Sequence, residues 1–335
     1  MSEKTALITG ITGQDGAYLA DLLLTKGYKV YGLVRRISER NFWRLKKLSI
    51  EDEIIFLDGD LTETQRLYEI VREYKFDEIY NLGAMSHVGS SFLQPVNTYN
   101  VDALPVLHFL EAIKIFSDKT KFYQASTSEM YGNANDNKVV IDEQFPMSPV
   151  SPYGASKLFA HNQVRIYRES YGLFAVSGIL FNHESPLRGD DFVTKKIVNF
   201  AKYFKNSKLN NLKPLQIGNL EAKRDWGYAK EYVAGMFAMM QKDEPEDYVL
   251  ATGKATSVRE FIEETFKNLG YPIIWKGSDE EEIGFIEDIK AIEVSRKFYR
   301  PNELHYLRGD AAKAQKKLGW FPKTDVPDLV KLMLE

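Results

Sequence analysis

The feature that most constrains the fold lies at the start of the chain. An apolar run at residues 5–9 feeds directly into Gly10-Ile11-Thr12-Gly13-Gln14-Asp15-Gly16. An apolar-periodic segment follows at residues 17–26, closed by Gly27. A buried strand, a glycine turn and a helix in that order form a unit that buries itself in a parallel sheet. The glycines permit a tight turn and let the backbone approach a pyrophosphate at the helix N-terminus. Because the spacing is G-x-x-G-x-x-G rather than G-x-G-x-x-G, the strand–turn–helix context carries this reading more than the glycines do. Gly10, Thr12, Gly13, Gln14, Asp15 and Gly16 are the candidate cradle.

The alternation continues. Strand patterns at residues 29–34, 54–57, 78–82, 121–125 and 174–180 are interleaved with helical patterns at 64–74, 96–116 and 152–171. This predicts an α/β fold: a Rossmann-type doubly wound parallel sheet with a smaller C-terminal α/β substrate domain. Beyond residue 180 the pattern loosens. The expected division is a nucleotide-binding domain at 1–180, with 217–253 returning to it, and a substrate domain at 181–335. Ligands of such sheets bind outside the carboxyl ends of the strands.

Composition excludes several classes. The chain has 335 residues, 44% hydrophobic and 27% charged, as in ordinary globular proteins. Its net charge of -3 gives no general attraction for nucleic acid. It has no cysteine, which removes disulfides, thiolate metal sites and cysteine nucleophiles. The five histidines are scattered without metal-ligand spacing, so no metal is expected. No apolar run approaches the roughly 20 residues of a membrane helix, and the N-terminus lacks a signal peptide's apolar core. The expectation is a cytoplasmic protein with no membrane partner.

Three further stretches carry chemistry. The second strand ends in Arg35-Arg36, where an acidic residue for a ribose hydroxyl is the alternative. Two guanidinium groups suit a 2′-phosphate, so NADP is favoured over NAD. The third strand ends in Asp58-Gly59-Asp60-Leu61, placing Asp60 and Leu61 near an adenine. The fifth runs into Ser126-Thr127-Ser128-Glu129, three hydroxyls and a carboxylate at the end of a buried strand. In Ser151-Pro152-Tyr153-Gly154-Ala155-Ser156-Lys157, Ser151 suits an N-cap and Pro152 a first helical position. Tyr153 and Lys157 then share a helix face one turn apart. A phenol of pKa about 10 is a poor base at neutral pH. A nearby ammonium and an oxidised nicotinamide favour the phenolate, and a lowering of about three units takes roughly 4 kcal/mol.

These motifs resemble the extended short-chain dehydrogenase/reductase family and, within it, the GDP-mannose 4,6-dehydratases. The likeness includes Gly10 to Gly16, Asn81-Leu82-Gly83-Ala84-Met85-Ser86-His87-Val88, Tyr123 to Gly132 and Ser151 to Lys157. It continues through Gly178 to Pro186, Ala222 to Gly227, Tyr299-Arg300-Pro301 and Leu318-Gly319-Trp320, nearly the whole chain. The resemblance implies that Thr127, Glu129, Tyr153 and Lys157 are catalytic. Tyr153 takes the proton of the carbon 4 hydroxyl of mannose while hydride passes to NADP. Glu129 removes the carbon 5 proton and helps the carbon 6 hydroxyl leave as water, the hydride returns to carbon 6, and carbon 5 is reprotonated. Thr127 hydrogen-bonds the developing oxyanion.

By the same resemblance, Leu82, Gly83, Ala84, Ser86, His183 and Arg188 lie at the cofactor. Ser86, Thr127, Asn182, Lys196, Arg224, Arg300 and Glu303 contact the GDP-sugar. Three readings stay open: dehydration of GDP-mannose, the same chemistry on a GDP-manno-heptose, and an NADPH-dependent 4-ketoreductase. Glu129 argues against the last, because reduction needs no carbon 5 base. A catalytically silent NADP-binding regulator is a fourth, against which the intact Thr127, Glu129, Tyr153 and Lys157 speak. The chain departs from the family pattern at Asn97, at Lys195 and in residues 37–43, where relatives carry a serine-rich loop used in tetramer formation. A homo-oligomer is expected, dimer or tetramer.

Overall fold

A computed structural model describes residues 3–133, 139–206 and 213–335. Its first six strands are β1 (Thr5–Thr9), β2 (Lys29–Val34), β3 (Ile55–Asp58), β4 (Glu78–Asn81), β5 (Lys121–Thr127) and β6 (Ala175–Leu180). They are followed by β7 (Asn182–Glu184), β8 (Leu215–Ile217), β9 (Lys223–Tyr228), β10 (Tyr248–Leu250) and β11 (Ala255–Ser257). The last three are β12 (Ile274–Lys276), β13 (Ile283–Ile286) and β14 (Ile289–Val294).

Seven strands form one parallel sheet in the order β10-β6-β5-β4-β1-β2-β3. The order reverses between β1 and β4, which opens a crevice at their carboxyl ends. The inner strands are buried on both faces: all of Ala175–Leu180 is buried. Each face accordingly meets a helical layer. One layer includes helices Gln14–Thr25 and Ala229–Met240, with Leu19, Leu23, Val233 and Met236 in the core beneath it. The other includes Thr64–Tyr74, Leu104–Phe116 and Pro152–Tyr171, packing Leu67, Phe109, Phe122 and Val164.

Beyond β6, strands β11, β9 and β7 form a three-stranded sheet, and β12, β13, β14 and β8 a four-stranded one. Around them Phe204, Trp226, Phe261, Phe266 and Ile292 build a separate core. No helix among the described residues is long and apolar enough to cross a membrane.

Two local expectations change. The first helix begins at Gln14, three residues before the apolar periodicity starts, so Gly16 lies inside its first turn. The single helix expected at 96–116 is three: Val88–Leu93, Pro95–Asp102 and Leu104–Phe116. Pro105 explains the second break, because it has no N–H to bond the Val101 carbonyl. Pro95 likewise starts the middle helix at its first position.

Candidate active site

The carboxyl ends of the central strands open into a cleft of about 1370 Å³. At its nucleotide end the backbone leaves no room for side chains. Gly10 has a positive φ of 68°, and a Cβ there would lie 2.7 Å from the Gly83 nitrogen. A Cβ on Gly16 would lie 2.3 Å from the Gly10 carbonyl oxygen. The Gln14–Thr25 helix starts on Gly13, which offers no side-chain cap. The N–H groups of its first turn therefore have no intrahelical acceptor and line the cleft. A pyrophosphate fits this arrangement by hydrogen bonding and by the helix dipole.

Beneath the cradle, polar side chains tie the strand ends together. The Thr9 hydroxyl donates to Asn81 Oδ1 at 2.7 Å and accepts the Gly83 N–H at 3.0 Å. Asn81 donates to Gln124 Oε1 at 2.8 Å, and Gln124 donates to the Ala125 carbonyl at 3.0 Å. The Lys157 ammonium donates to that same carbonyl, also at 3.0 Å. A buried chain of hydrogen bonds thus links the cofactor loop to the tyrosine–lysine helix.

That helix, Pro152–Tyr171, starts as its sequence requires: Ser151 accepts the Gly154 N–H at 3.0 Å and Pro152 occupies the first turn. Glu129 lies in the short 3-10 turn Ser128–Met130 that follows β5. Gly154 brings the two elements together, since a Cβ there would lie 2.7 Å from the Glu129 carbonyl oxygen. Backbone must move to admit even alanine. Gly154→Ala is expected to lower kcat by about 10- to 100-fold with cofactor affinity little changed. Steady-state kinetics with a parallel cofactor titration measures both.

Tyr153 is buried and lines the cleft with Thr127, and the Lys157 ammonium lies 5.9 Å from its ring centre. Burial pushes the Tyr153 phenol up, Asp102 and Glu129 add to that, and the Thr127 hydroxyl and Arg188 oppose it. Lys157 contributes no lowering that offsets burial. Its own pKa falls below that of a free lysine through burial, opposed by Asp102. In the protein by itself the phenol keeps its proton; the oxidised nicotinamide, the second positive charge expected from the sequence, is not part of that balance.

Glu129 is 7% exposed. One oxygen meets Arg300 Nη1 at 3.3 Å, and the other is buried without a hydrogen-bond partner among the described residues. Arg300 also faces Glu303 at 4.0 Å, and Glu303 accepts from Arg224 at 3.3 Å. Arg224 is therefore not the ion-pair partner of its neighbour Asp225. Successive strand residues point to opposite faces, and Asp225 instead accepts backbone N–H groups of Thr252, Gly253 and Gly309. Two guanidinium groups and two carboxylates thus face the same cleft.

Most of the residues singled out in the sequence line this cleft: Gly10, Thr12 to Gly16, Arg35, Asp60, Leu61, Leu82 to Ala84, Ser86, Thr127, Glu129, Tyr153, Lys157, Asn182, His183, Arg188, Lys196, Arg224, Arg300 and Glu303. Arg36 does not. β2 ends at Val34, and of the two exposed arginines only Arg35 lines the cleft. Asp60 turns its carboxylate to Thr62, accepting from its N–H at 2.9 Å and its hydroxyl at 2.8 Å.

The Lys195–Lys196 pair separates. Lys195 donates to the Pro186 carbonyl at 2.9 Å, while Lys196 faces the cleft and the Phe298 ring. His183 braces the cradle: its Nε2 lies 2.8 Å from Asp15 Oδ2, its Nδ1 2.7 Å from the Phe181 carbonyl, and its ring stacks on Tyr232. Burial disfavours the charged imidazole, but Asp15 outweighs that and holds the ring's pKa above its ordinary value.

Four site residues went unnoticed in the sequence. Thr9, Asn81 and Gln124 are polar residues at or near the ends of buried strands, the signal that marks the stretch Ser126 to Glu129. Arg44 donates to the Thr12 and Leu187 carbonyls at 3.0 and 2.7 Å, fixing the glycine turn to the segment after β7.

A family model described as GDP-mannose 4,6 dehydratase matches residues 7–333. The chain belongs to the GDP-mannose 4,6-dehydratase family. It is 49% identical to the protein of that name from Cricetulus griseus over 99% of this chain and 91% of the other. The Homo sapiens protein is 48% identical over 99% and 90%. The Sinorhizobium fredii (strain HH103) protein is 48% identical over 97% and 94%. Among solved structures, the UDP-glucose 4-epimerase of Thermus thermophilus in complex with NAD superposes with a TM-score of 0.80 at 23% identity, covering 98% of this chain and 97% of that one. The dTDP-glucose 4,6-dehydratase of Bacillus anthracis str. Ames in complex with NAD gives 0.79 at 20% identity, over 99% and 95%. These structures share the fold of this family member. Its cleft carries the threonine, glutamate, tyrosine and lysine set that the motifs singled out.

Proposed function

We propose that the protein is a GDP-D-mannose 4,6-dehydratase, producing GDP-4-dehydro-6-deoxy-D-mannose and water. The observation that carries this reading is Glu129 in the same cleft as Tyr153, with one carboxylate oxygen buried and unpaired among the described residues. An oxidation or reduction at carbon 4 alone needs no second base. Removal of the carbon 5 proton does. The curated relatives named above support mannose as the sugar and GDP as the carrier.

The chain's own groups divide the work. Tyr153 accepts the proton of the carbon 4 hydroxyl, and Thr127, which lines the same cleft, donates to the oxygen as charge develops there. The resulting ketone acidifies the carbon 5 proton, which Glu129 removes, and the same carboxyl then protonates the departing carbon 6 hydroxyl. Glu129, re-protonated from solvent, returns a proton to carbon 5, and Tyr153 releases to solvent the one it took from the carbon 4 hydroxyl. Lys157, anchored on the Ala125 carbonyl, keeps a positive charge below the tyrosine. Arg224 and Arg300 are placed to bind the diphosphate, drawing Arg300 away from Glu129 as substrate enters.

The glycine cradle, Arg35 and the loop 82–86 would hold a nicotinamide dinucleotide, and NADP supplies the acceptor for the carbon 4 hydride and its return to carbon 6. Arg35 favours NADP over NAD. Arg35→Ala is expected to weaken NADP by roughly 10- to 100-fold, the worth of one charged phosphate contact. NAD affinity should hold, and Arg36→Ala should change neither. Calorimetric titration of both cofactors into both variants checks this, and equal losses of NADP and NAD would remove Arg35 from 2′-phosphate recognition.

Residues 1–180 with 217–253 are read as the cofactor half and 181–335 as mainly the sugar-nucleotide half. The test of the activity is mass spectrometry of the purified protein with GDP-mannose, NADP and no reductant. Loss of one water from the sugar nucleotide without net NADPH is the expected result. An unchanged GDP-mannose would overturn the substrate assignment.

A further inference from the structure

We propose that Asp102 is a positioning residue of this reaction: one carboxylate oxygen pins the backbone under the cofactor loop, and the other supplies the counter-charge that keeps the Lys157 ammonium in place beside Tyr153. The proposal rests on the dehydratase reading above and extends it to a group behind the cleft wall.

Asp102 ends the Pro95–Asp102 helix and is 2% exposed. Oδ1 accepts the Met85 N–H at 2.7 Å, fixing the loop 82–86 from behind. Oδ2 is buried and has no hydrogen-bond partner among the described residues. A buried carboxylate oxygen without a donor is costly unless an opposite charge faces it. The Pro95–Asp102 helix packs against the Pro152–Tyr171 helix, which carries the buried cation Lys157, itself 2% exposed. Burial raises the pKa of Asp102, and Lys157 and the Met85 N–H oppose that. Asp102 and Lys157 are not in contact, because the ammonium donates to the Ala125 carbonyl. An ammonium this deeply buried tends to lose its proton through desolvation, and Lys157 is held below the lysine range by burial with Asp102 opposing.

The charged groups around Tyr153 come from four elements. They are Asp102 from the Pro95–Asp102 helix, Glu129 from the turn after β5, Arg188 from the segment after β7, and Lys157 from its own helix. Asp102 therefore acts twice. It holds the proton on Lys157, and it raises the pKa of Tyr153 directly.

Asp102→Asn separates these effects from packing. Asparagine keeps the shape and the acceptor for Met85 N–H but removes the charge. Tyr153 should then lose its proton at lower pH, and Lys157 should lose its own at lower pH. Both limbs of the kcat profile are expected to move down by about one unit.

The second readout needs no turnover. Competitive labelling with acetic anhydride, followed by mass spectrometry of the Lys157 peptide, should show acylation beginning at lower pH in Asp102→Asn. Asp102→Ala should in addition weaken the cofactor several-fold, as the Met85 anchor is lost.

Three outcomes are distinct. A parent enzyme inactive on GDP-mannose, with the labelling shift present, overturns the dehydratase reading and leaves Asp102 as the partner of Lys157. An active parent with identical profiles and labelling in Asp102→Asn overturns the positioning role. Shifts in both readouts, with cofactor binding retained in Asp102→Asn and weakened in Asp102→Ala, establish it.

Discussion

Glu129→Gln is expected to abolish water loss, by about 10³-fold or more, in a protein that still folds and binds its cofactor. Glutamine is nearly isosteric and keeps an oxygen for Arg300, so the Arg300–Glu303–Arg224 arrangement survives. What disappears is the unpaired buried oxygen able to take a proton. Oxidation at carbon 4 does not use that oxygen. Reduced nicotinamide should therefore accumulate slowly to at most one equivalent per site, with the sugar nucleotide intact in carbon and oxygen. Absorbance of the reduced cofactor and the mass of the quenched sugar nucleotide read the two steps separately. Near-parental water loss would place the base elsewhere.

Tyr153→Phe should stop the sequence one step earlier, with a loss of about 10³- to 10⁴-fold and no reduced cofactor detectable. Removing the hydroxyl leaves the ring in its place at the start of the helix. The size of the effect follows from the site's electrostatics. Burial, Asp102 and Glu129 all hold the phenol protonated, so the protein alone does not carry a phenolate at neutral pH. The base is formed only in the loaded site. A transient-kinetic experiment under single-turnover conditions distinguishes Tyr153→Phe from Glu129→Gln, because only the latter should show the reduced cofactor. Equal accumulation in both would contradict the assigned order.

Much of this was legible in the sequence, for a physical reason. A parallel sheet buries its strands on both faces, so a polar residue at a strand's carboxyl end stands out against an apolar run. The stretch Ser126 to Glu129 stands out that way, with the family resemblance picking Thr127 and Glu129 within it, and Gly10 to Gly16 stand out by the turn they open. The tyrosine–lysine pair was found by helical spacing, but spacing reports only which residues share a face. It says nothing of burial, which here keeps the Tyr153 phenol protonated.

What periodicity does not carry was misread or missed. The helix expected at 96–116 is interrupted, and Pro105 is the residue that marks the second break. Arg36 shares its sequence context with Arg35, yet only Arg35 lines the cleft. Asp102 has no sequence signal at all. Its importance comes from Met85 and Lys157, groups brought to it by tertiary packing.

The central claim is that one carbon-bound hydrogen leaves carbon 4 and returns to carbon 6 within a single site, with Glu129 moving the proton in between. The most direct measurement uses GDP-mannose deuterated at carbon 4, with unlabelled NADP and no reductant, followed by mass spectrometry and deuterium NMR of the product. The account predicts a product that has lost one water and kept its deuterium, now on carbon 6, with no label in the cofactor pool. Deuterium found in released reduced cofactor, or a product that has lost it to solvent, would contradict the account.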